Sequence, residues 1–294
     1  MKKYAEQYFK PVPSVNFHLW QPCNMRCRFC FATFQDVKRE RLPKGHLPRQ
    51  EAIQVVEALC KAGFNKITFV GGEPTLCPWM ADLIEEAKKH SLTTMLVTNG
   101  SRLTPEFLQQ VKPWLDWVCV SIDSLNPETN KAAGRVLLNS KPFDEPHYLA
   151  LSDMIKQMGF GFKINTVVHK MNYQENLSCF IKRVSPDRWK VFRVLPVEGQ
   201  NSGLMNELLI SDAEFQQYLS VNRRAGYQPV VEDNDDMRGS YAMVDPAGRF
   251  FDSSLGYHRY SKPILESGVE AAYNQVGIRE DKFNSRGGYY DWRV

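Results

Sequence analysis

The sequence predicts an α/β chain built as a partial (β/α)6 barrel with a C-terminal extension. Three observations predict it. Short apolar, β-branched runs alternate six times with segments whose apolar residues recur at helical spacing. Parallel strands need a crossover, usually a helix, so this alternation implies one parallel sheet, and its six units favour an incomplete barrel over a flat doubly wound sheet, the alternative that periodicity leaves open. After about residue 224 the rhythm stops, which divides the chain into a barrel, residues 1–223, and an extension, residues 224–294, expected to cap the open end.

Residues 14–20 (SVNFHLW) are the first strand. Residues 49–62 follow as a helix, with Ala52, Ile53, Val56 and Leu59 at helical spacing and Gly63 placed to end it. The second strand is 66–70 (KITFV), the next helix 80–90, and the third strand 93–97. A helix begins near Thr104, with Pro105 in its first turn, and the fourth strand is 117–121. Strands five and six are 162–168 and 189–195, and further helices are expected over 146–158, 173–184 and 212–223. In the extension, residues 241–244 and 249–252 flank Asp245-Pro-Ala-Gly248, a turn sequence, so a hairpin is expected. From Asn284 the chain is rich in Gly, Tyr and Arg and shows no clear period.

Hydrophobic residues make up 43% and charged residues 24% of the 294, the balance of a globular chain with a sizeable core. The formal charge of +4 fits an anionic ligand. No apolar run approaches the ~18–20 residues of a membrane span. The start, Met1-Lys-Lys-Tyr-Ala, has no apolar signal segment, so no membrane partner and a cytoplasmic location are expected. No basic stripe carries interleaved aromatics, so nucleic acid is not an expected partner. Of seven cysteines, three fall within eight residues, while Cys60, Cys77, Cys119 and Cys179 are scattered singly. That is not a disulfide framework; in a reducing compartment the cluster reads as metal ligands.

The cluster is Cys23-Asn-Met-Arg-Cys27-Arg-Phe-Cys30, directly after the first strand. It therefore sits at the end of the barrel where active sites form. Thiolates suit iron–sulfur clusters. Three of them on a [4Fe–4S] cube leave one iron without a protein ligand, free to be chelated by the amine and carboxylate of an amino acid. A structural zinc site is the alternative, but zinc wants four ligands, and His18 and His46 stand at unusual spacings.

A CxxxCxxC loop in this position resembles the radical S-adenosylmethionine superfamily. The resemblance implies that the open iron binds the methionine end of S-adenosylmethionine, that an electron from the cluster splits the sulfonium, and that the resulting 5′-deoxyadenosyl radical takes a hydrogen from substrate. Gly71-Gly72-Glu73-Pro74, after the second strand, resembles the GGEP motif of that superfamily, whose backbone contacts the methionine amino group. Its glycines permit close backbone approach. Thr98 and Asn99 follow strand three, and Ser121 and Asp123 end strand four, where such a barrel presents polar groups to the cofactor. Arg135 is a candidate partner for the cofactor carboxylate, which guanidinium matches in two-point fashion.

Longer stretches narrow the likeness. Ser14-Val-Asn-Phe-His18, Lys66-Ile-Thr-Phe-Val-Gly-Gly-Glu-Pro74, Phe162-Lys-Ile-Asn165, Arg188-Trp-Lys-Val-Phe192, Glu198-Gly-Gln-Asn201, Gly268-Val-Glu-Ala-Ala272 and Arg286-Gly-Gly-Tyr289 resemble the viperin family, from Val15 to Trp292. That family implies conversion of a ribonucleoside triphosphate, CTP in animals, into its 3′-deoxy-3′,4′-didehydro analogue (ddhCTP), a terminator of viral RNA synthesis. The ribose 4′ hydrogen is taken, the 3′ hydroxyl leaves as water, and an external donor such as flavodoxin or ferredoxin supplies electrons. Lys66, Lys163, Arg188 and Lys190 fall on or beside strands two, five and six. Lys163 shares a strand face with Asn165, and Arg188 with Lys190. A lysine pointing into a barrel is costly unless an anion meets it, and a triphosphate would. Asn16 is a further candidate contact, and Tyr241 occupies the family position proposed to deliver the final hydrogen or electron.

The sequence also departs from animal viperins. Their N-terminal membrane-binding helix has no counterpart in the 13 residues before the first strand. Val70 stands where they have Ser, and the segments 134–146 and 290–294 differ. Because base recognition involves the C-terminal segments, UTP and GTP stand beside CTP as candidate substrates. A different single-cluster enzyme of the superfamily is the other alternative. Members that carry auxiliary clusters bring additional C-terminal cysteines, and no cysteine follows Cys179.

Overall fold

The computed structural model describes residues 9–223 and 227–292. The six expected strands form in order: β1 (Ser14–Trp20), β2 (Lys66–Gly71), β3 (Thr93–Thr98), β4 (Trp117–Ser121), β5 (Gly161–Val168) and β6 (Arg188–Arg193). Each pairs in parallel with the next: Asn16 stands opposite Thr68, Thr68 opposite Met95, and Asn165 opposite both Ser121 and Lys190. The crossovers include α2 (Arg49–Lys61), α3 (Met80–Lys89), α4 (Pro105–Val111), α6 (Glu145–Gln157) and α7 (Ser178–Val184), and α8 (Asp212–Asn222) follows β6. Gly63 ends α2 at φ +94, a conformation that favours glycine. Thr104 caps α4 by accepting from Phe107 N, with Pro105 in the first turn.

Side chains alternate across a strand, and here the two faces differ in kind. Val15, Phe17, Ile67, Phe69, Leu96, Val118, Val120, Phe162, Ile164, Trp189 and Val191 point toward the helices and pack with Val55, Leu59, Leu83, Leu108, Ile155 and Phe180. Each such side chain contributes about 1.5–3 kcal/mol on burial. That layer offsets the cost of the other face, which carries Asn16 on β1, Lys66 and Thr68 on β2, Lys163 and Asn165 on β5 and Lys190 on β6 and encloses the cavity.

The extension lengthens the same sheet at both edges. β7 (Val230–Glu232) pairs in parallel with β6. On the other side β8 (Ala242–Val244) pairs in parallel with β1, and β9 (Arg249–Asp252) and β10 (Arg259–Pro263) continue antiparallel. The order is β10-β9-β8-β1-β2-β3-β4-β5-β6-β7. The expected hairpin is thus β8–β9, and its turn is fixed by Asp245, whose carboxylate accepts from Ala247 N and Arg249 N. The expected division at 223/224 abuts residues 224–226, which lie outside the described residues, as do residues 1–8 of the segment before β1.

One helix is shorter than its pattern. The segment 173–184 becomes helical only at Ser178. Asn172 Nδ2 is drawn to the carbonyls of Asp123 and Val167, and Asn176 accepts from Ser178 N, local bonds that compete with helix formation. The short helices α1 (Gln35–Glu40), α5 (Pro127–Ala132), α9 (Asn234–Met237), α10 (Ile264–Ser267), α11 (Val269–Tyr273) and α12 (Glu280–Ser285) span too few turns to show a period. Among the described residues no helix is long and apolar enough to cross a membrane.

Candidate active site

The polar face of the sheet opens on one cavity of about 790 Å³, toward the upper end of the roughly 300–1,000 Å³ of ligand pockets. Every expected site residue lines it except Arg188. The cysteines lie beyond the C-terminal end of β1, whereas Lys66, Lys163 and Lys190 come from the N-terminal halves of their strands. From Lys66 to Gly72 the chain advances roughly 20 Å along the sheet, so the cavity has a thiol end and a cationic end.

At the thiol end, burial pushes the Cys27 thiol up to about 12 and Cys30 to about 11, and raises Cys23 as well. Such thiols ionise when cations meet them, as a metal cluster provides. Among the described residues no three His, Cys, Asp or Glu side chains converge on one point as a single-ion site. His46 instead stacks on Trp20 at 3.9 Å. A four-iron cube bonds each thiolate to a different iron and needs them spread around it, which three thiols lining one cavity wall fit. The loop is anchored by its own backbone: Arg26 N donates to the Gly134 carbonyl (3.1 Å) and Arg28 N to that of Ala133 (2.9 Å).

The two glycines after β2 are required by backbone contact. A Cβ on Gly71 would lie 2.4 Å from the Trp20 carbonyl oxygen, and one on Gly72 would lie 2.2 Å from that of Gln21. Glu73 N then donates to the Pro22 carbonyl at 2.9 Å. The glycines thus dock β2's loop against the residues leading into Cys23. The Glu73 carboxylate, 1% exposed, accepts from Asn99 N (2.7 Å), Thr98 Oγ1 (2.6 Å), Thr75 N and Thr75 Oγ1. It ties its own loop to the one after β3, and burial raises its pKa. Asn99 Nδ2 donates to Asn24 Oδ1 (2.9 Å), joining β3's end to the cysteine loop.

Arg135 is 5% exposed and stands 3.0 Å from the Asp123 carboxylate. It also donates to the Ser121 carbonyl (2.5 Å) and reaches Cys27 Sγ at 3.8 Å. Asp123 takes Val167 N with its other oxygen. The guanidinium expected to meet a cofactor carboxylate already meets a protein one, with Nε still buried and unbonded.

At the cationic end, Lys66 donates to the Tyr290 hydroxyl and lies 5.4 Å from the Trp292 ring. Lys163 has no hydrogen bond or ion pair to any described residue and is 8% exposed. Burial, reinforced by neighbouring cations, holds both lysines below the ordinary lysine value, Lys66 well below. Lys190 donates to Glu232 and to the Tyr241 hydroxyl (3.0 Å), and burial pushes it down to about 7. Tyr241 donates to the other Glu232 oxygen, and burial keeps its phenol protonated. Arg286 stacks on Tyr241 at 3.6 Å and pairs with Glu232 at 3.5 Å.

Arg188 departs from the expectation. As the first residue of β6 it lies outside the cavity lining, covered by the Tyr290 ring at 3.9 Å, and donates to the Gly287 carbonyl (2.9 Å). Sequence reasoning missed Glu232, Arg286 and Asn24 as site residues. Arg286 heads a stretch that carried the family likeness; Glu232 and Asn24 give no signal of their own.

A sheet of parallel strands with a three-thiol loop at its active end and a cavity across its face defines a class of enzyme. Residues 20–178 match the model of the radical SAM superfamily. The chain is similar to the "S-adenosylmethionine-dependent nucleotide dehydratase" of Flammeovirga pacifica, 51% identical over 96% of this chain and 97% of that one. The protein of that name from Lacinutrix mariniflava is 54% identical over 96% of this chain, which spans 59% of the relative's length. The one from Danio rerio is 34% identical over 99% of this chain and 81% of its own. Streptococcus suis SuiB, solved bound to S-adenosylmethionine, shares the fold at TM-score 0.60 and 16% identity over 81% of this chain and 59% of that one. The chain belongs to the radical S-adenosylmethionine superfamily and, within it, to the S-adenosylmethionine-dependent nucleotide dehydratases. It is an enzyme of the kind that uses a [4Fe–4S] cluster and S-adenosylmethionine.

Proposed function

We propose that this enzyme converts CTP to ddhCTP, removing the ribose 4′ hydrogen and the 3′ hydroxyl as water. One observation carries the reading. Lys66, Lys163, Lys190 and Arg286 line one end of the cavity, where Glu232 pairs with Lys190 and Arg286 and Lys163 has no ion pair to a described residue. Buried cationic groups call for a counter-ion, and the phosphates of a nucleoside triphosphate would supply one with charge-assisted hydrogen bonds.

Cys23, Cys27 and Cys30 hold the cluster, which with bound S-adenosylmethionine supplies a 5′-deoxyadenosyl radical. Gly71, Gly72, Glu73, Thr98, Asn99, Ser121, Asp123 and Arg135 form the cofactor's seat, the buried Glu73 and Asp123 bonds keeping it rigid. Lys66, Lys163 and Lys190 take the triphosphate, with Asn16 and Asn165 beside the sugar. Tyr241 supplies the last hydrogen, its O–H kept in place by Glu232 and Lys190. The C-terminal extension caps the site and keeps water out: among its described residues Tyr241, Phe283, Arg286 and Tyr290 line the cavity. The seven cysteines are all free thiols, in keeping with a cytoplasmic enzyme reduced by flavodoxin or ferredoxin.

The test is to incubate the anaerobically reconstituted enzyme with S-adenosylmethionine, dithionite and each of the four ribonucleoside triphosphates. CTP is expected to stimulate 5′-deoxyadenosine formation most; UTP or GTP in its place would reassign the base, and no stimulation by any would end the nucleotide reading.

A further inference from the structure

The stretch Glu198-Gly-Gln-Asn201 follows β6, yet its two amide side chains act on the loop that follows β1. Asn201, 4% exposed, donates through Nδ2 to the carbonyls of Phe29 and Leu195, both at 3.0 Å. Its Oδ1 accepts from Val197 N at 2.8 Å. Gln200 Oε1 accepts three bonds: from Thr33 N (3.1 Å), Thr33 Oγ1 (2.7 Å) and Phe34 N (2.9 Å). Gln200 Nε2 donates to Asp36 Oδ1 at 3.2 Å, and Tyr260 of β10 donates to the other Asp36 oxygen at 2.6 Å.

These bonds bracket Cys30. Phe29 immediately precedes it, and Thr33 and Phe34 come three and four residues after. Phe34 has φ +49, a left-handed conformation that costs a bulky residue on the order of 1–3 kcal/mol and persists only where its surroundings enforce it. Its ring is fully buried against His18 and Phe251, and its N–H is held by Gln200. The Cys27 side of the loop is anchored separately, on Ala133 and Gly134. Gln200 and Asn201 together hold the backbone on both sides of Cys30, whereas the bonds of His258 at Phe31 and of Gln21 to the Thr33 carbonyl fall only after it.

We propose that Gln200 and Asn201 are positioning residues for the iron–sulfur cluster. They fix the carbonyl before Cys30 and the amides after it, and so set the direction from which its thiolate meets iron. The inference rests on the reading of Cys30 as a ligand. Outer partners that orient a metal ligand change metal retention by about 10–100-fold when removed.

The experiment compares reconstituted Gln200→Met and Asn201→Ala with the parent chain and with Asn222→Ala. Asn222 is an equally buried amide that bonds Leu177 N, Glu175 O and Tyr218 O away from the cysteines, and it controls for general loss of stability. Iron release to a strong chelator and the electron paramagnetic resonance spectrum of the reduced cluster are read with no substrate present. Both test variants are expected to release iron about tenfold faster or more and to shift the spectrum, while Asn222→Ala releases at the parental rate. Parental release in the two test variants, or equal acceleration in Asn222→Ala, would overturn the proposal. Cys30→Ala, run alongside, reads the ligand assignment separately: if it retains iron as the parent does, that reading fails and the proposal with it.

Discussion

Replacing Lys163 with methionine should move stability and substrate affinity in opposite directions. Lys163 is 8% exposed and makes no ion pair with a described residue; burial lowers its pKa, and Arg188 and Arg286 add to this. Without ligand it is a liability: a buried polar group with no partner costs on the order of 1–3 kcal/mol. Methionine is similar in length and has nothing to leave unsatisfied, so the ligand-free chain should hold its Tm or gain a few degrees. With nucleotide bound, the same substitution deletes charge-assisted bonds worth about 1.5–3 kcal/mol, or about 10- to 150-fold in affinity. The assay pairs thermal melting of the ligand-free protein with anaerobic kinetics. KM for CTP should rise by that factor, while the slow cleavage of S-adenosylmethionine without substrate stays near the parental rate. A lower Tm combined with an unchanged KM would refute the reasoning, because it would mean that Lys163 supports the fold and not the ligand.

Three further predictions follow from the same geometry. Gly72→Ala would drive a Cβ to 2.2 Å from the Gln21 carbonyl oxygen; about 1–3 kcal/mol of overpacking should lower Tm by roughly 2–10 °C and reduce iron bound per chain, whereas parental melting and iron content would contradict the docked-loop account. Glu73→Gln turns an amide toward the donors of Asn99 N, Thr98 and Thr75, leaving a buried donor unmatched at about 1–3 kcal/mol; the melting temperature should fall, and a neutral result would mean that the carboxylate is not the tie between these loops. Nucleotide binding should take up protons at pH 8, because burial holds Lys190 at about 7 and lowers Lys66 and Lys163 when no anion is present. The sign is that of bases depressed on folding: their penalty is full below the lowered values and fades as pH rises toward about 10.4, where the unfolded lysine also deprotonates. Calorimetry in buffers of different ionisation enthalpy measures the uptake, and proton release on binding would contradict it.

The six parallel strands were legible because each carries an apolar face whose period of two survives in the sequence, as in Val15, Phe17 and Leu19 or Ile67 and Phe69. The same alternation placed Lys66, Lys163 and Lys190 on the inner face. What the sequence did not disclose depends on partners far along the chain. β7 is three residues long, and its Glu232 acquires meaning only beside Lys190 and Arg286. Arg188 reads like Lys190 two residues on, but Tyr290 and Gly287 return to cover it. Arg135 reads as a free guanidinium until Asp123 is brought 3.0 Å away. The helix over 173–184 loses its first turn to the side chains of Asn172 and Asn176, a competition that apolar spacing cannot register.

The most direct measurement follows one hydrogen. CTP carrying deuterium at the ribose 4′ carbon is turned over anaerobically, and the recovered 5′-deoxyadenosine is weighed by mass spectrometry. Deuterium in that product is the predicted result, since it requires the triphosphate to lie at the cationic end with its sugar toward the cysteines. Unlabelled 5′-deoxyadenosine, formed at a rate that CTP still stimulates, would contradict the account.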